Sequence, residues 1–200
     1  VDATNYILHD LGQPLHAFDA DKISGGKIIV GSLSEGTVFK TLDEVERKLS
    51  GNELMIADAS GGLCIAGVFG GINSGVTAST KNIFLESAYF DSVLVRKAAR
   101  FHGLHTDSSF RFERGTDPEM TITALDKAVK LITEIAGGKA EATYVDFYPT
   151  KVENKKIELS YTYLNTLAGN VIAKDVVKRI LNDLQIATVA EDGDVLTVEV

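Results

Sequence analysis

Four stretches of the chain bring together residues able to bind or react. Thr4-Asn5 and Gln13-Pro14-Leu15-His16-Ala17-Phe18-Asp19 set polar side chains on either side of a proline that stiffens the backbone. Such a turn fixes a binding group, or else Asn5 and His16 satisfy backbone groups nearby. Ala66-Gly67-Val68-Phe69-Gly70-Gly71 runs on to Gly75. Small residues let a ligand approach the main chain and its N–H donors; the alternative is a turn or bulge. Glu86 lies in Ile83-Phe84-Leu85-Glu86-Ser87-Ala88, where strand alternation sets it with Phe84 and Ala88, opposite Ile83, Leu85 and Ser87. A carboxylate among apolar neighbours is costly without a partner, which marks a ligand-reading group; the alternative is a solvated strand face. Residues 96–114 hold Arg96, Lys97, Arg100, Arg111 and Arg114 against Asp107 and Glu113, with His102 and His105. That positive excess suits an anion, or is used up by internal pairs of Arg111 and Arg114 with Glu113, Asp107 or Asp117.

Other reactive patterns are missing from the sequence. There is no Walker loop, no His-Glu-x-x-His, no paired-cysteine zinc motif and no nucleophile elbow. The single cysteine, Cys64, sits in an apolar run and reads as a small core residue. One cysteine allows no intramolecular disulfide and no multi-thiolate metal site, so no metal is expected. The net charge of −8 argues against holding nucleic acid by non-specific phosphate neutralisation. With 44% hydrophobic and 24% charged residues, the composition is globular, and 200 residues can bury a core without staples. No apolar run is long enough to span a membrane and no secretory leader is seen. A cytoplasmic protein with no membrane partner is expected, and Val1 in place of Met suggests a processed or excised piece.

The elements that must position these groups can be read in part. Residues 2–11 form a short helix capped by Asp2 or Thr4 and stopped by Gly12. Short β-branched runs at 27–31, 37–40, 54–57, 63–68 and 82–88, parted by Gly, Ser and Asp, predict strands of a mostly antiparallel system. Asp91-Ser92 opens a helix that ends near Phe101, with Gly103 beyond. Asp117-Pro118-Glu119 predicts a helix start, and Gly137-Gly138 its end. A strand is expected at 140–148, closed by Pro149, and a domain boundary at 150–151. Beyond it come a strand at 157–159, a helix capped by Ser160 and stopped by Gly169, a helix at 174–184, and a hairpin around Asp192-Gly193. The second part, 151–200, is expected to be a truncated domain.

Taken together the four stretches are specific. Thr4-Asn5-Tyr6, Leu11-Gly12-Gln13-Pro14-Leu15-His16-Ala17-Phe18-Asp19, Ala66-Gly67-Val68 with Gly70-Gly71, Leu85-Glu86-Ser87-Ala88, and Thr106-Asp107 through Arg111-Phe112-Glu113-Arg114-Gly115 with Asp117-Pro118 occur in one order. This set resembles the central tRNA-editing domain of the bacterial phenylalanyl-tRNA synthetase β subunit, over nearly all of 1–150. Ser108 departs from the alanine usual there. Residues 151–200 resemble the start of the next β-subunit domain, helix-rich and of a DNA-binding type.

The resemblance implies an α+β fold, a layered β/β/α editing domain over 1–150 followed by part of that helix-rich domain. It also implies hydrolysis of tyrosine mischarged onto the 3′ end of tRNA(Phe). Glu86 would accept a hydrogen bond from the tyrosine hydroxyl as a charged carboxylate. Ala66 and Gly67 would pass the ring, and Thr106 and Ser108 would complete the pocket. Thr4, Asn5, Pro14 and His16 would surround the amino acid and the ester. His16, Asn5 and Thr4 form the expected catalytic group, with His16 orienting a water rather than acting as a strict general base. No cofactor is implied in this piece, since ATP and Mg2+ belong to the synthetic site of the full enzyme. The implied partners are tRNA(Phe) and the α subunit of an α2β2 heterotetramer. A non-catalytic RNA-binding or assembly module of the same subunit, and a free-standing editing factor, are the alternatives.

Overall fold

The computed structural model describes residues 1–141 and 144–200. Helix α1 (Asp2–Leu11) stops at Gly12, whose φ of +74° is a left-handed cap. Its start departs from expectation: Asp2 and Thr4 lie inside the helix, and Thr4 Oγ1 donates to the Val1 carbonyl at 2.7 Å. The stretch after Pro14, expected as a turn, is strand β1 (Leu15–Asp19). Seven further strands follow: β2 (Ile29–Gly31), β3 (Val38–Lys40), β4 (Glu46–Lys48), β5 (Met55–Ala57), β6 (Gly62–Ile65), β7 (Phe69–Gly70) and β8 (Ile83–Ser87). Helices α2 (Ser92–His102), α3 (Asp107–Phe112) and α4 (Met120–Ala136) complete the first of two compact units, Val1–Tyr144 and Val145–Val200.

The first unit is built around an antiparallel ribbon. β1 and β8 pair along their whole length, Leu15 opposite Ser87, His16 opposite Glu86 and Phe18 opposite Phe84. Alternation divides their side chains between two faces. Leu15 and Leu85 turn toward α1 and α4, where Ile7, Leu11, Ala124 and Ala128 join them in a small core. Ala124 and Ala128 are one helical turn apart, and their size lets the two helices come close. Lys127 of α4 pairs with Asp10 of α1, and Ser87 Oγ donates to the Thr121 carbonyl at 2.6 Å. His16, Phe18, Phe84 and Glu86 occupy the other face.

Phe18 anchors that second face. It is completely buried in the larger core with Phe39, Met55, Ile65, Phe90 and Phe112. Burying one such ring contributes roughly 2–3 kcal/mol. This core rests on the antiparallel sheet β2-β5-β6-β7, with the β3–β4 hairpin beside it. α2 adds Val95, Ala98 and Ala99 to it, and α3 adds Phe112. The unit is therefore α+β, with a ribbon and a sheet as its β layers.

The helix signals resolve unevenly. Asp91 Oδ1 accepts the Val93 and Leu94 amides, both at 2.9 Å, and Gly103 closes α2 in the left-handed region. α4 begins later than Asp117-Pro118-Glu119 suggests, because Asp117 Oδ1 takes the Glu119 amide and closes a separate turn. No strand occurs among the described residues of 140–148; Ala142 and Thr143 of that stretch lie outside them.

The second unit holds β9 (Lys156–Ser160), α5 (Tyr161–Ala168), α6 (Lys174–Asp183), β10 (Ala187–Asp192) and β11 (Val195–Glu199). Its sheet order is β10-β11-β9, and Tyr161, Val177, Leu196 and Val198 form its core. Ser160 caps α5 through its hydroxyl, and Gly169 ends that helix. The boundary expected at 150–151 falls inside this unit.

Asp91→Ala removes two capping bonds and should cost about 1 kcal/mol. A drop in Tm of roughly 3 °C is expected by thermal denaturation; an unchanged Tm would show that the cap adds nothing.

Candidate functional site

A cavity of about 350 Å³ opens on the His16 and Glu86 face of the ribbon. Small-molecule sites span roughly 300–1,000 Å³, so one amino-acid side chain with its ester is a reasonable load. Thr4, Asn5, Pro14, His16, Gly67, Glu86, Thr106 and Ser108 all line it. Ala66 does not. It is only 2% exposed and packs into the core behind the wall, so it cannot touch a ligand directly.

Segments distant in the sequence build this cavity, among them the 64–70 stretch and Leu42. α1 brings Thr4 and Asn5, the ribbon brings His16 and Glu86, and α3 brings Thr106, Ser108 and Phe112. α3 was hidden in the basic stretch because Ser109, not Glu or Gln, completes its capping box with Thr106. Thr106 Oγ1 accepts the Ser109 amide at 3.0 Å and donates to the Val68 carbonyl at 2.9 Å. Its proton is thus committed to tying α3 to the wall. Gly67 has a φ of +68°, and a β-carbon there would meet Phe112 and Phe90 at 3.0 Å. Backbone and space both demand glycine at that position.

The cationic expectation for 96–114 separates from the cavity. Arg114 pairs with Glu113 at 2.6 Å and lies over the Phe110 ring at 3.6 Å. His102 is buried against Glu53 at 2.9 Å. None of the basic residues of this stretch lines the cavity.

Two cavity groups carry unmet bonding capacity. Glu86 Oε2 and His16 Nε2 are both sheltered from solvent and lack a hydrogen-bond partner. The two residues are cross-strand neighbours on one face, which sets their Cβ atoms roughly 5 Å apart. Burial pushes the Glu86 carboxyl up to about 8 and the His16 imidazole down to about 4. An ion pair would move both the opposite way. At pH 7 the pair is therefore a protonated acid facing a neutral imidazole. Where the sequence suggests a charged carboxylate, burial favours the protonated form, which can donate as well as accept.

The arrangement disfavours a covalent route. Burial, then the nearby Glu86, push the Cys64 thiol well up, so it stays a thiol. Ser108 makes no hydrogen bond to His16, so no activated hydroxyl is assembled. Among the described residues, no group of three or more His, Cys, Asp or Glu could hold a metal ion.

Sequence reasoning missed Leu42 and Phe112 in the wall. Leu42 sits in the turn between β3 and β4, and nothing local marks it. Phe112 lay in the stretch read for its charge.

Comparison with known proteins follows this geometry. Residues 1–137 match the B3/4 domain, and the chain belongs to that family. Along its full length it is 51% identical to the phenylalanine–tRNA ligase beta subunit of Porphyromonas gingivalis and 50% identical to that of Bacteroides thetaiotaomicron. It spans 24% of each, about a quarter of the length of the curated relatives it matches. An N-terminal fragment of the phenylalanyl-tRNA synthetase beta-subunit from Pyrococcus horikoshii aligns over 98% of this chain and 57% of that one, with 16% identity and a TM-score of 0.42. No helix among the described residues is long and apolar enough to cross a membrane.

The two shifted groups make stability depend on pH in opposite senses. Glu86 holds its proton to about 8 when folded, against 4.5 ordinarily. Its contribution is complete below pH 4.5 and is lost as pH rises through 8. The neutral His16 contributes fully above 6.5 and loses that contribution as pH falls through about 4. Glu86→Gln cannot ionise, so its Tm should gain on the parent between pH 5 and pH 9. At about 1.4 kcal/mol per pKa unit, allowing for the half-buried side chain, the gain is of the order of 3 kcal/mol. A Tm difference independent of pH would contradict a buried acid at this position.

Proposed function

We propose that this pocket removes tyrosine wrongly esterified to the 3′ end of tRNA(Phe), as the editing site of a phenylalanine–tRNA ligase β subunit. The observation that supports it most is the sheltered, unpartnered Oε2 of Glu86 inside a cavity of amino-acid size. Phenylalanine and tyrosine differ by one hydroxyl, which an apolar pocket rejects by only about 100-fold. A pocket that requires the hydroxyl does better, because phenylalanine leaves its polar group unpaired at roughly 1–3 kcal/mol. A protonated Glu86 serves this end: its carbonyl oxygen accepts the phenol proton, or its own proton goes to the phenol oxygen.

The reaction is ester hydrolysis. A water oxygen bonds to the ester carbonyl carbon, the acyl C–O bond to the ribose breaks, and the ribose oxygen leaves with a proton from that water. His16, pushed down to about 4, is a poor base at pH 7 but a good neutral acceptor for orienting the water. Asn5 and the Ser108 hydroxyl supply further polar contacts at the rim. ATP and Mg2+ serve amino-acid activation at a separate synthetic site, and the α subunit and tRNA body complete the assembly, an α2β2 heterotetramer in the cytoplasm. With a net charge of −8 this chain alone makes few phosphate contacts, so deacylation by it should be slow.

Hydrolysis of tyrosyl- and phenylalanyl-tRNA by the 200-residue chain, in excess over RNA, tests this reading. Tyrosyl-tRNA should be cleaved faster. Glu86→Ala should shrink that preference about tenfold or more, while His16→Ala slows both substrates alike, by about a hundredfold. A tyrosine preference that survives Glu86→Ala would remove Glu86 as the discriminator.

A further inference from the structure

Gly70 is a glycine that no turn requires. It lies in β7 opposite Cys64 of β6, and its φ is not among the positive values of the chain. Space is what it supplies. A β-carbon at residue 70 would stand 2.9 Å from His16 Cε1, 3.2 Å from His16 Nε2 and 2.9 Å from Leu42 Cδ1. All three distances lie inside ordinary van der Waals contact. The bare Cα therefore faces the imidazole itself, although small residues in this loop suggested room for a ligand.

Nothing polar holds that imidazole. Nε2 is without a partner, and no hydrogen bond to the ring occurs among the described residues. Its orientation comes from packing: the Phe18 ring meets it edge-on at 4.4 Å and 75°, and the Gly70 backbone closes on it. The titratable groups that share the cavity with it are Glu86, across the ribbon, Cys64, opposite Gly70, and the α-amino group of Val1.

We propose that Gly70 is a positioning residue for His16: its missing side chain leaves the seat on which the imidazole rests beside Glu86. A methyl group at this position would drive the ring out of the seat and toward solvent. The contact stands on geometry alone; only its consequence for ester hydrolysis rests on the editing reading.

The test needs no RNA. The His16 Cε1–H resonance, assigned among the four histidines by its loss in His16→Ala, is followed by NMR across pH in the parent and in Gly70→Ala. The midpoint should rise by at least one unit from about 4 toward the ordinary 6.5. In parallel, the Tm lost through Gly70→Ala is measured in the parent and in the His16→Ala background. Removing the ring makes room for the methyl, so the loss should at least halve. If Gly70→Ala alone does not fold, folding regained in the His16→Ala background gives the same answer, and failure to regain it overturns the proposal. An unmoved His16 titration, or equal Tm losses in the two backgrounds, would also overturn it and leave Gly70 as clearance for a ligand. Both readouts hold whether or not the chain cleaves tyrosyl-tRNA.

Discussion

The register of one strand pair governs the site. Pairing of Leu15 with Ser87 sets His16 opposite Glu86 and sends both to the same face of the ribbon. A slip of one residue in β1 would turn His16 toward α1 and α4 and part it from Glu86. The register is protected from both sides. Leu15 and Leu85 are held in the helix-side core, and Phe18 is fully buried in the sheet-side core. Two hydrophobic cores thus fix the position of two polar groups that belong to neither.

Those polar groups are costly to the folded chain. Each has a sheltered atom without a partner, and each is displaced from its ordinary titration toward the neutral form. A protein built only for stability would satisfy or replace them. Their persistence in a cavity beside Ser108 and Asn5 is the pattern of a site that waits for a ligand's hydrogen bonds. Neutrality matters to the chemistry as well. An uncharged acid and an uncharged imidazole can sit close without forming an ion pair that would close the cavity by satisfying itself.

How far the sequence reveals this depends on whether the cause is local. α2 is legible because Asp91 and Gly103, at its two ends, make its caps. The second unit is legible for the same reason, through Ser160, Gly169 and the Asp192-Gly193 turn. β1 was hidden because Pro14 reads as a turn, and only pairing with β8, far along the chain, makes Leu15–Asp19 a strand. β4 is Glu46-Arg47-Lys48, whose charge conceals its pairing with β3. Of the candidate site residues, all but Ala66 line the cavity. Ala66 lies behind the wall, because the chain turns at Gly67 and sends its neighbour inward. The burial that shifts Glu86 comes from distant parts of the chain around the cavity, which no local pattern shows.

The most direct measurement is the affinity of the cavity for two non-hydrolysable ligands, adenosine carrying tyrosine or phenylalanine through a 3′ amide, by calorimetry at pH 7. If the cavity requires a hydroxyl, the tyrosyl compound binds at least about tenfold tighter, as one unmet buried hydrogen bond implies. Equal affinity for the two would contradict a hydroxyl-reading pocket.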